Sequence, residues 1–415
     1  MKQPLTIDEL INQAKQAMEG DGLKQDYITQ VSYTWWRLKD YLSDNGIPFS
    51  RESALCFLEN HYGIKSGNNF AHLRPIDKRR SRAVHILINC AEDGKITKEK
   101  SFWPCMFHEP FAVVFNQFLS ERKSGSYALS TINRDIYTLN HLSKYLYESK
   151  IGHLADIDAS SIMGFMKWLS ASKNLPTVKS ASSSLRLLLK YLYVNKYVEK
   201  DLSTCVQTVR VRKVIPSVYG TGEIETMLDS FNRFSALGIR NYAMVLIAVR
   251  LGMRASDICG LKFSAIHWDK STIEFITRKT GKHTVLPLPA DVGNAIIKYL
   301  KDCRPNVDDN HVFLQMQAPH HVLKPASLHT IVTKAFRDAG IVINSGRRHG
   351  PHALRASLAT AMLEKKVPLP VISETLSHSI TDTTKIYLKV DIYHLRPLAL
   401  EVPGIEGIWM GGIRL

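Results

Sequence analysis

Apolar residues recur at helical spacing through most of the chain. The clearest example is a run of four leucines at positions 185, 188, 189 and 192, which form one face of a predicted helix. Residues 240–252 are apolar on nearly all sides, a pattern typical of a buried helix. Further helices are predicted to begin near Ala326, His352, Leu369 and Thr381.

The apolar pattern changes from helical to alternating over a short stretch of the second half. Residues 272–277 (TIEFIT) and 283–288 (HTVLPL) are rich in β-branched residues and indicate two strands. Residues 278–282 (RKTGK) lie between them and predict a tight turn containing Gly281. The sequence therefore predicts a multidomain protein, with all-α segments followed by an α+β segment that holds a small antiparallel sheet.

Breaks in the pattern predict where the segments begin and end. The predicted parts are a helical block (1–105), a second helical block (108–202), a basic linker (203–222), a third block (223–395) and a tail (396–415). The linker contains Pro216 and two glycines and has little helical periodicity.

The two helical blocks share a short pattern. Residues 33–42 and 137–146 both read Tyr-Thr-x-x-x-Leu-x-x-Tyr-Leu, at an offset of 104 residues. The pattern favours an internal duplication, although two unrelated amphipathic helices can also share such spacing.

The net charge indicates more about the function than the overall composition does. The 415 residues are 45% hydrophobic and 22% charged, as in ordinary globular proteins. They include 54 Lys and Arg against 38 Asp and Glu, a net charge of +16. Such an excess predicts a polyanionic partner, with nucleic acid favoured over an acidic membrane.

The cellular compartment and the metal content are predicted from the cysteines, the histidines and the apolar segments of the chain. The six cysteines are scattered without metal-ligand spacing, which argues against a zinc module and a disulfide framework. The adjacent pair His320-His321 has no further ligands at suitable spacing. We predict a cytoplasmic protein with no membrane span, no metal and no cofactor.

Four short motifs carry the candidate chemistry. A predicted helix ends at Gly252, so Arg254, two residues later, is expected on a rigid backbone. There it could clamp a phosphate, and Asp257 could orient the neighbouring hydrogen-bond donors. The others are the hairpin with Lys279, the pair His352-x-x-Arg355, and His378 followed nine residues later by Tyr387. Each motif alone is weak, because an ion pair, a solvated turn or a core aromatic explains it equally well.

Together and in this order, the four motifs closely resemble the signature of the tyrosine recombinase (phage integrase) family. The flanks GMRASDICGLKF, RKTGK, PHALR and LSH before IY match as well, and the resemblance spans residues 108–390. It implies a helical core-binding domain at 108–202 and a catalytic domain at 223–395. It leaves the role of residues 1–105 open.

The resemblance also implies a role for each residue. Tyr387 would attack a DNA phosphodiester, and Arg254 and Arg355 would stabilise the phosphorane. His352 would accept the proton of the tyrosine, His378 would donate to a non-bridging oxygen, and Lys279 would protonate the leaving oxygen. Tyr393 is a rival nucleophile, but it lies fifteen residues beyond His378.

Two positions depart from the family pattern. The chain has Ser377 where the family commonly has glycine, and Ala356 where it often has histidine. Neither change removes a catalytic group, but Ser377 is expected to alter the turn before His378.

The partners follow from the resemblance and the charge. We expect double-stranded DNA and a homotetramer on paired sites, with related recombinases or accessory proteins as further partners and the tail docking on a neighbouring protomer. The basic residues expected to contact DNA are Arg210, Arg212, Lys213, Lys282, Arg347 and Arg348, besides the basic patch at 78–82. For this patch, a solvated charged face is the alternative.

Two other functions remain open from the sequence. A DNA-binding architectural protein of the same fold would not cut DNA, and a type IB-like topoisomerase would relax DNA without exchanging partners. A plasmid-relaxation assay beside a two-site recombination assay separates the three functions.

Overall fold

The computed structural model of this chain describes residues 5–64, 73–96, 105–125, 127–211, 216–343 and 346–377. By its internal contacts the chain divides into two compact units, one of residues 1–85 and 214–415 and the other of residues 86–213. Across the described residues, every helix is too short or too polar to cross a membrane. The boundaries that the sequence pattern indicates between its blocks stay predictions.

The first described stretch, up to residue 96, consists of four helices. They are α1 (Ile7–Gly20), α2 (Gln25–Asp44), α3 (Arg51–Tyr62) and α4 (Pro75–Asp93). A capping box begins α1, in which Thr6 accepts from the backbone of Glu9 while the Glu9 carboxylate accepts from the backbone of Thr6. Trp35 of α2 is fully buried, and its indole Nε1 donates to the carbonyl oxygen of Ala83 on α4 over 2.7 Å. This bond ties α2 to α4 across a buried interface.

The second stretch repeats this order with four more helices. They are α5 (Ala112–Ser124), α6 (Leu129–Glu148), α7 (Ala159–Ser172) and α8 (Leu175–Val194). The four leucines of the predicted stripe lie on α8 and are all fully buried, as predicted. The fully buried Asp135 accepts hydrogen bonds from Arg122 at 3.1 Å and from Ser184 at 2.6 Å, which offset the cost of burying its charge.

The third stretch folds around one long buried helix. Its helices are α9 (Thr221–Asp229), α10 (Ala236–Leu251), α11 (Ala255–Cys259), α12 (Ala290–Asp302), α13 (Pro325–Asp338), α14 (Pro351–Glu364) and α15 (Leu369–Thr375). Residues 243–249 of α10 are all buried, which confirms the prediction of a buried helix. Helices α12, α13 and α14 pack against it.

A small antiparallel sheet lies in this stretch, as predicted. Its order is β1 (Ile266–His267), β2 (Thr272–Ile276) and β3 (His283–Pro287). Strands β2 and β3 each end one residue before the predicted end, and their register pairs Ile276 with His283. The sequence missed β1 because two residues are too few to show an alternating pattern.

Leu354, Leu358, Ala361 and Met362 lie at helical spacing and predict one buried stripe along α14, and this prediction was partly wrong. Leu354 is buried, but Leu358, Ala361 and Met362 are only half-buried, and the buried set includes Arg355. Helix α14 packs against α10, α13 and α15, so it is covered on more than one side. A single amphipathic stripe does not describe a helix enclosed in this way.

Candidate active site

Arg254 lies immediately after α10, at a point where the chain turns sharply. Gly252 ends α10 in the left-handed conformation, with φ of 60°, which glycine adopts without steric cost. A side chain at this position would also meet Leu358 and Leu376 at 2.9 Å, so the backbone approaches both closely. Arg254 is the N-cap residue of α11, and the turn therefore fixes the start of its side chain.

The guanidinium group of Arg254 is only partly satisfied. Its Nη2 donates to the carbonyl oxygen of Ser377 at 3.2 Å. Its Nη1 is buried and has no hydrogen-bond partner among the residues that the structure describes. A buried, charged donor in this state is costly unless an anion completes it.

Arg355 of α14 reaches the same place from the other side. It is 5% exposed, and its Nη1 donates to the carbonyl oxygen of Gly252 at 2.6 Å. Its Nη2 donates to the carbonyl oxygen of Leu376. These two carbonyl oxygens hold the guanidinium group between the ends of α10 and α15 without cancelling its positive charge.

Asp257 links the arginine turn to the β2–β3 hairpin. It is 6% exposed, and its Oδ1 accepts a hydrogen bond of 3.0 Å from the backbone N–H of Arg278. Arg278 directly precedes Lys279, so the carboxylate fixes the start of the turn that carries this lysine.

The turn itself is held by a compact set of hydrogen bonds. The buried Thr277 pairs with Lys282 through backbone and side-chain bonds of 2.9–3.1 Å, and its hydroxyl lies 2.6 Å from that of Thr280. Gly281 has a φ of 65° and closes the turn. Lys279 and Lys282 are both exposed on this rigid support.

His352 lies at the start of α14, and its electrostatic surroundings identify its neighbours. The residue is exposed, yet nearby protein atoms remove enough water from the ring to lower its pKa below the ordinary value of 6.5. The positive charges of Arg355, Lys279 and Arg254 lower this pKa further, and so does the nearby ring of His329. His352 is therefore mainly neutral at pH 7 and can accept a proton.

The structure thus brings together four of the predicted catalytic residues, Arg254, Lys279, His352 and Arg355, with Asp257 behind the hairpin. His378 and Tyr387, like the rival Tyr393, lie outside the described residues. The sequence did not single out His329, which stacks on His349 with ring centres 5.4 Å apart. No local motif marks it, because α13 brings it close to α14 only in the folded protein.

Comparisons with known proteins give the same family as the motifs. The Phage integrase family profile matches residues 220–394. "Putative integrase/recombinase y4gC" of Sinorhizobium fredii is 34% identical over 193 residues, which cover 46% of this chain and 98% of that protein. The chain belongs to the phage integrase family of tyrosine recombinases.

Other relatives match over different lengths. "Putative integrase/recombinase y4rA" of the same organism is 35% identical over 256 residues, which cover 60% of this chain and only 61% of y4rA. Tyrosine recombinase XerA of Pyrococcus furiosus is 25% identical over 65% of this chain and 88% of its own.

Solved structures share the fold of this tyrosine recombinase. XerH site-specific recombinase, bound to a palindromic difH substrate, matches with a TM-score of 0.54 and 20% identity over 76% of this chain and 88% of its own. Lambda integrase, as a tetramer bound to a Holliday junction, matches with a TM-score of 0.53 and 14% identity over 81% of this chain and 88% of its own. At these identities, the likeness concerns the fold.

The serine that departs from the family pattern takes part in the site. Ser377 has a φ of 49°, in the left-handed region where glycine is favoured. Its buried hydroxyl accepts a hydrogen bond of 3.0 Å from Thr284 of β3, and its carbonyl oxygen is the acceptor for Arg254. The sequence predicted an altered turn here, but the bond to β3 required the folded structure.

The residues predicted to contact DNA differ in their surroundings. Arg347 forms two hydrogen bonds, of 2.7 and 2.6 Å, to the carboxylate of Glu223, and packs over the ring of Tyr219. These contacts give Arg347 a role within the fold that competes with the predicted DNA contact.

Three other predicted contacts, Arg210, Lys282 and Arg348, are exposed, whereas Arg212 and Lys213 lie outside the described residues. For all of them, DNA binding stays a prediction.

Proposed function

We propose that this tyrosine recombinase cuts and rejoins duplex DNA at specific sites through a 3′-phosphotyrosine on Tyr387. The observation that carries the proposal is the buried Nη1 of Arg254, which has no partner among the described residues and lies in a cluster of positive charge. A phosphodiester supplies the oxygen atoms that such a donor needs.

Cleavage is a transesterification in which atoms and charge balance. The oxygen of Tyr387 attacks the phosphorus atom, the bond to the 5′-oxygen breaks, and the phenolic proton passes to neutral His352. Lys279 donates a proton to the departing 5′-oxygen, because an alkoxide is a far stronger base than the attacking phenolate. Rejoining reverses these steps with a 5′-hydroxyl from a partner strand.

The two arginines act on the charge that develops at phosphorus. Arg355 is held by the carbonyl oxygens of Gly252 and Leu376, and Arg254 by that of Ser377, so neither group has to reorganise as the phosphorane forms. The phosphotyrosine bond conserves the energy of the cleaved phosphodiester, so the proposal requires neither ATP nor a divalent metal.

Strand exchange requires two duplexes, and we include a tetramer on paired sites in the proposal. The lambda integrase tetramer on a Holliday junction supports this assembly by its fold alone. Integration, excision and resolution are all compatible with the same chemistry.

The test is covalent trapping on a nicked duplex that carries the site recovered from the DNA flanking the gene. The intact chain should form a protein–DNA adduct in excess EDTA, and Tyr387→Phe should bind the duplex without forming the adduct. Tyr393→Phe is the matched control and should form the adduct normally. Adducts that persist in Tyr387→Phe and vanish in Tyr393→Phe would reassign the nucleophile, and cleavage that needs added Mg²⁺ would refute the metal-free mechanism.

A further inference from the structure

The helical stretch before residue 97 has the same succession of helices as the stretch that follows it. Helices α1 to α4 have 14, 20, 12 and 19 residues, and α5 to α8 have 13, 20, 14 and 20. The sequence pattern shared by α2 and α6 at an offset of 104 residues falls inside the second helix of each set.

Burial follows the same offset along α2 and α6. Adding 104 to each of the seven buried positions of α2 gives seven of the eight buried positions of α6. Two unrelated amphipathic helices share a period, but such agreement over 20 residues also requires the same width of buried face.

The fourth helices agree in the same way at an offset of 101 residues. At this offset Pro75, the first residue of α4, corresponds to Pro176, the second residue of α8. From there, six of the eight buried positions of α8 correspond to buried positions of α4. The two sets of helices therefore have matching faces on both helices that border one groove.

This groove is present in both stretches. In the first it is a cavity of about 250 Å³ between α2 and α4, and in the second it is a cavity of about 600 Å³ between α6 and α8. Tyr33 and Thr34 line the first, and their counterparts Tyr137 and Thr138 line the second.

Each groove contains a guanidinium group beside its first wall, but the group comes from a different helix in each. In the second groove it belongs to Arg134 of α6, whose Nε is buried without a hydrogen-bond partner among the described residues. The equivalent position of α2 is Gln30, and Arg79 of α4 donates from Nη1 to its Oε1 over 2.7 Å. The counterpart of Arg79 in α8 is Ser180. The arginine beside this wall therefore belongs to α4 in the first groove and to α6 in the second.

Three arginines are among the described residues that line this groove, and one of them, Arg80, is paired with the carboxylate of Asp77 at 3.1 Å. Residues 1–96 contain 13 basic and 12 acidic residues, so the stretch as a whole is nearly neutral. Arg37 and Arg79 are exposed at the groove, and Arg80 lies over the ring of Tyr62 at 4.2 Å. Guanidinium groups beside aromatic rings and hydroxyls are suited to the phosphates and sugars of a nucleic-acid backbone.

We propose that residues 1–96 are a second copy of the helical DNA-binding domain, and that their α2–α4 groove binds the sugar–phosphate backbone of duplex DNA outside the site of cleavage. The proposal rests on the proposed function, since that function provides the DNA. It goes further in assigning a second duplex-binding surface, with Arg37 and Arg79 as its phosphate contacts.

The experiment measures the salt dependence of binding by the full chain to a long duplex of mixed sequence. The variant Arg37→Gln/Arg79→Gln should lower the magnitude of the salt slope by about two, since each lost phosphate contact removes about one. Lys24→Gln/Lys39→Gln is the matched control, because it removes two charges from the same stretch outside the groove and should keep the parent slope. Thermal unfolding of both variants checks that the helices remain folded.

A shorter duplex separates the second surface from the first. A short duplex can be chosen that covers only the second helical stretch and the catalytic stretch. On this duplex the groove variant should bind like the parent. Equal slopes for the groove variant and the control on the long duplex would overturn the inference.

The trapping assay separates a failure of this inference from a failure of the proposed function. If the protein forms the adduct but the groove variant and the control have equal salt slopes, only the inference of a second DNA-binding surface is refuted. If the groove variant has a lower salt slope but the protein forms no adduct, only the proposed cleavage chemistry is refuted.

Discussion

Two arginine sites in the third stretch of the chain differ in the acceptors that their guanidinium groups meet. Arg254 and Arg355 donate to the carbonyl oxygens of Gly252, Leu376 and Ser377. Arg347, on the approach to α14, instead faces the carboxylate of Glu223 through two hydrogen bonds.

The difference lies in the net charge that remains. A carbonyl oxygen fixes the position of an arginine and leaves its charge in place, whereas a carboxylate fixes and neutralises it. The first arrangement suits an anion that arrives later, and it lowers the pKa of the neighbouring His352. The second arrangement stabilises the fold, and Arg347 holds the pKa of Glu223 below its usual range.

The largest expected effect is a loss of activity at one arginine site and a loss of stability at the other. Arg254→Gln should slow adduct formation by about 10²–10³-fold, because it removes a preorganised donor to the developing charge. Arg347→Gln should leave the adduct rate nearly unchanged and destabilise the fold by about 1 kcal/mol, since the ion pair is about one-third exposed. Single-turnover trapping and thermal unfolding measure the two effects.

The pH dependence of stability provides the control for this pair of variants. The Glu223 carboxylate has a lowered pKa in the fold, so its contribution is present above the unfolded value of 4.5 and is lost as the pH falls through the folded value. The stability difference between the parent and Arg347→Gln should therefore disappear in acid. A difference that persists there would mean that Arg347 acts through its packing on Tyr219.

The next effect concerns the two lysines of the hairpin, which share one rigid turn. Lys279→Ala should slow cleavage on the order of 10²-fold, because a positioned acid is lost. A substrate with sulfur at the 5′-bridging position should restore most of this rate, since a thiolate leaves without a proton. Lys282→Ala is the matched control and should show neither the loss nor the rescue.

Asp257 should act through the same lysine. Asp257→Ala removes the acceptor for the Arg278 N–H, so the turn should shift and part of the Lys279 effect should appear, again with rescue by sulfur. If the sulfur substrate rescues Lys282→Ala alone, the acid is Lys282. Rescue of no variant would mean that the hairpin only positions the DNA.

A smaller effect is expected where β3 meets the end of α15. Thr284→Val and Ser377→Gly each remove the buried hydroxyl bond, and Ser377→Gly also relieves the positive φ. A double-mutant cycle on unfolding free energy should give a coupling of about 0.5–1.5 kcal/mol, the usual contribution of one hydrogen bond. Additive effects of the two changes would show that this hydrogen bond does not stabilise the fold.

The smallest effect is a change in one pKa. The charge of Lys279 contributes to lowering the pKa of His352, so Lys279→Ala should raise it towards 6.5. Lys282→Ala should leave it unchanged, and an NMR titration of the histidine ring protons in the DNA-free protein measures both. A pKa that stays constant in Lys279→Ala would place the lysine too far away to act on the same phosphate.

The sequence by itself determined the family, the order of the four motifs, the buried α10 and the two main strands. Each of these depends on residues that are close in the chain: a hydrophobic period, a glycine at a helix end, or a lysine in a tight turn. Periodicity and turn chemistry act over one element, so they can be read locally.

Tertiary structure alone decided which polar groups face one another. Asp257 and Arg278 are 21 residues apart, Thr284 and Ser377 are 93 apart, and the partner of Arg347 is 124 residues away. Arg254, Arg347 and Arg355 look alike in the sequence, because a basic residue carries no local sign of the acceptor that it will meet. The acceptor decides whether the charge of an arginine remains available to a substrate or is neutralised within the fold. Only the packing of distant elements supplies that acceptor.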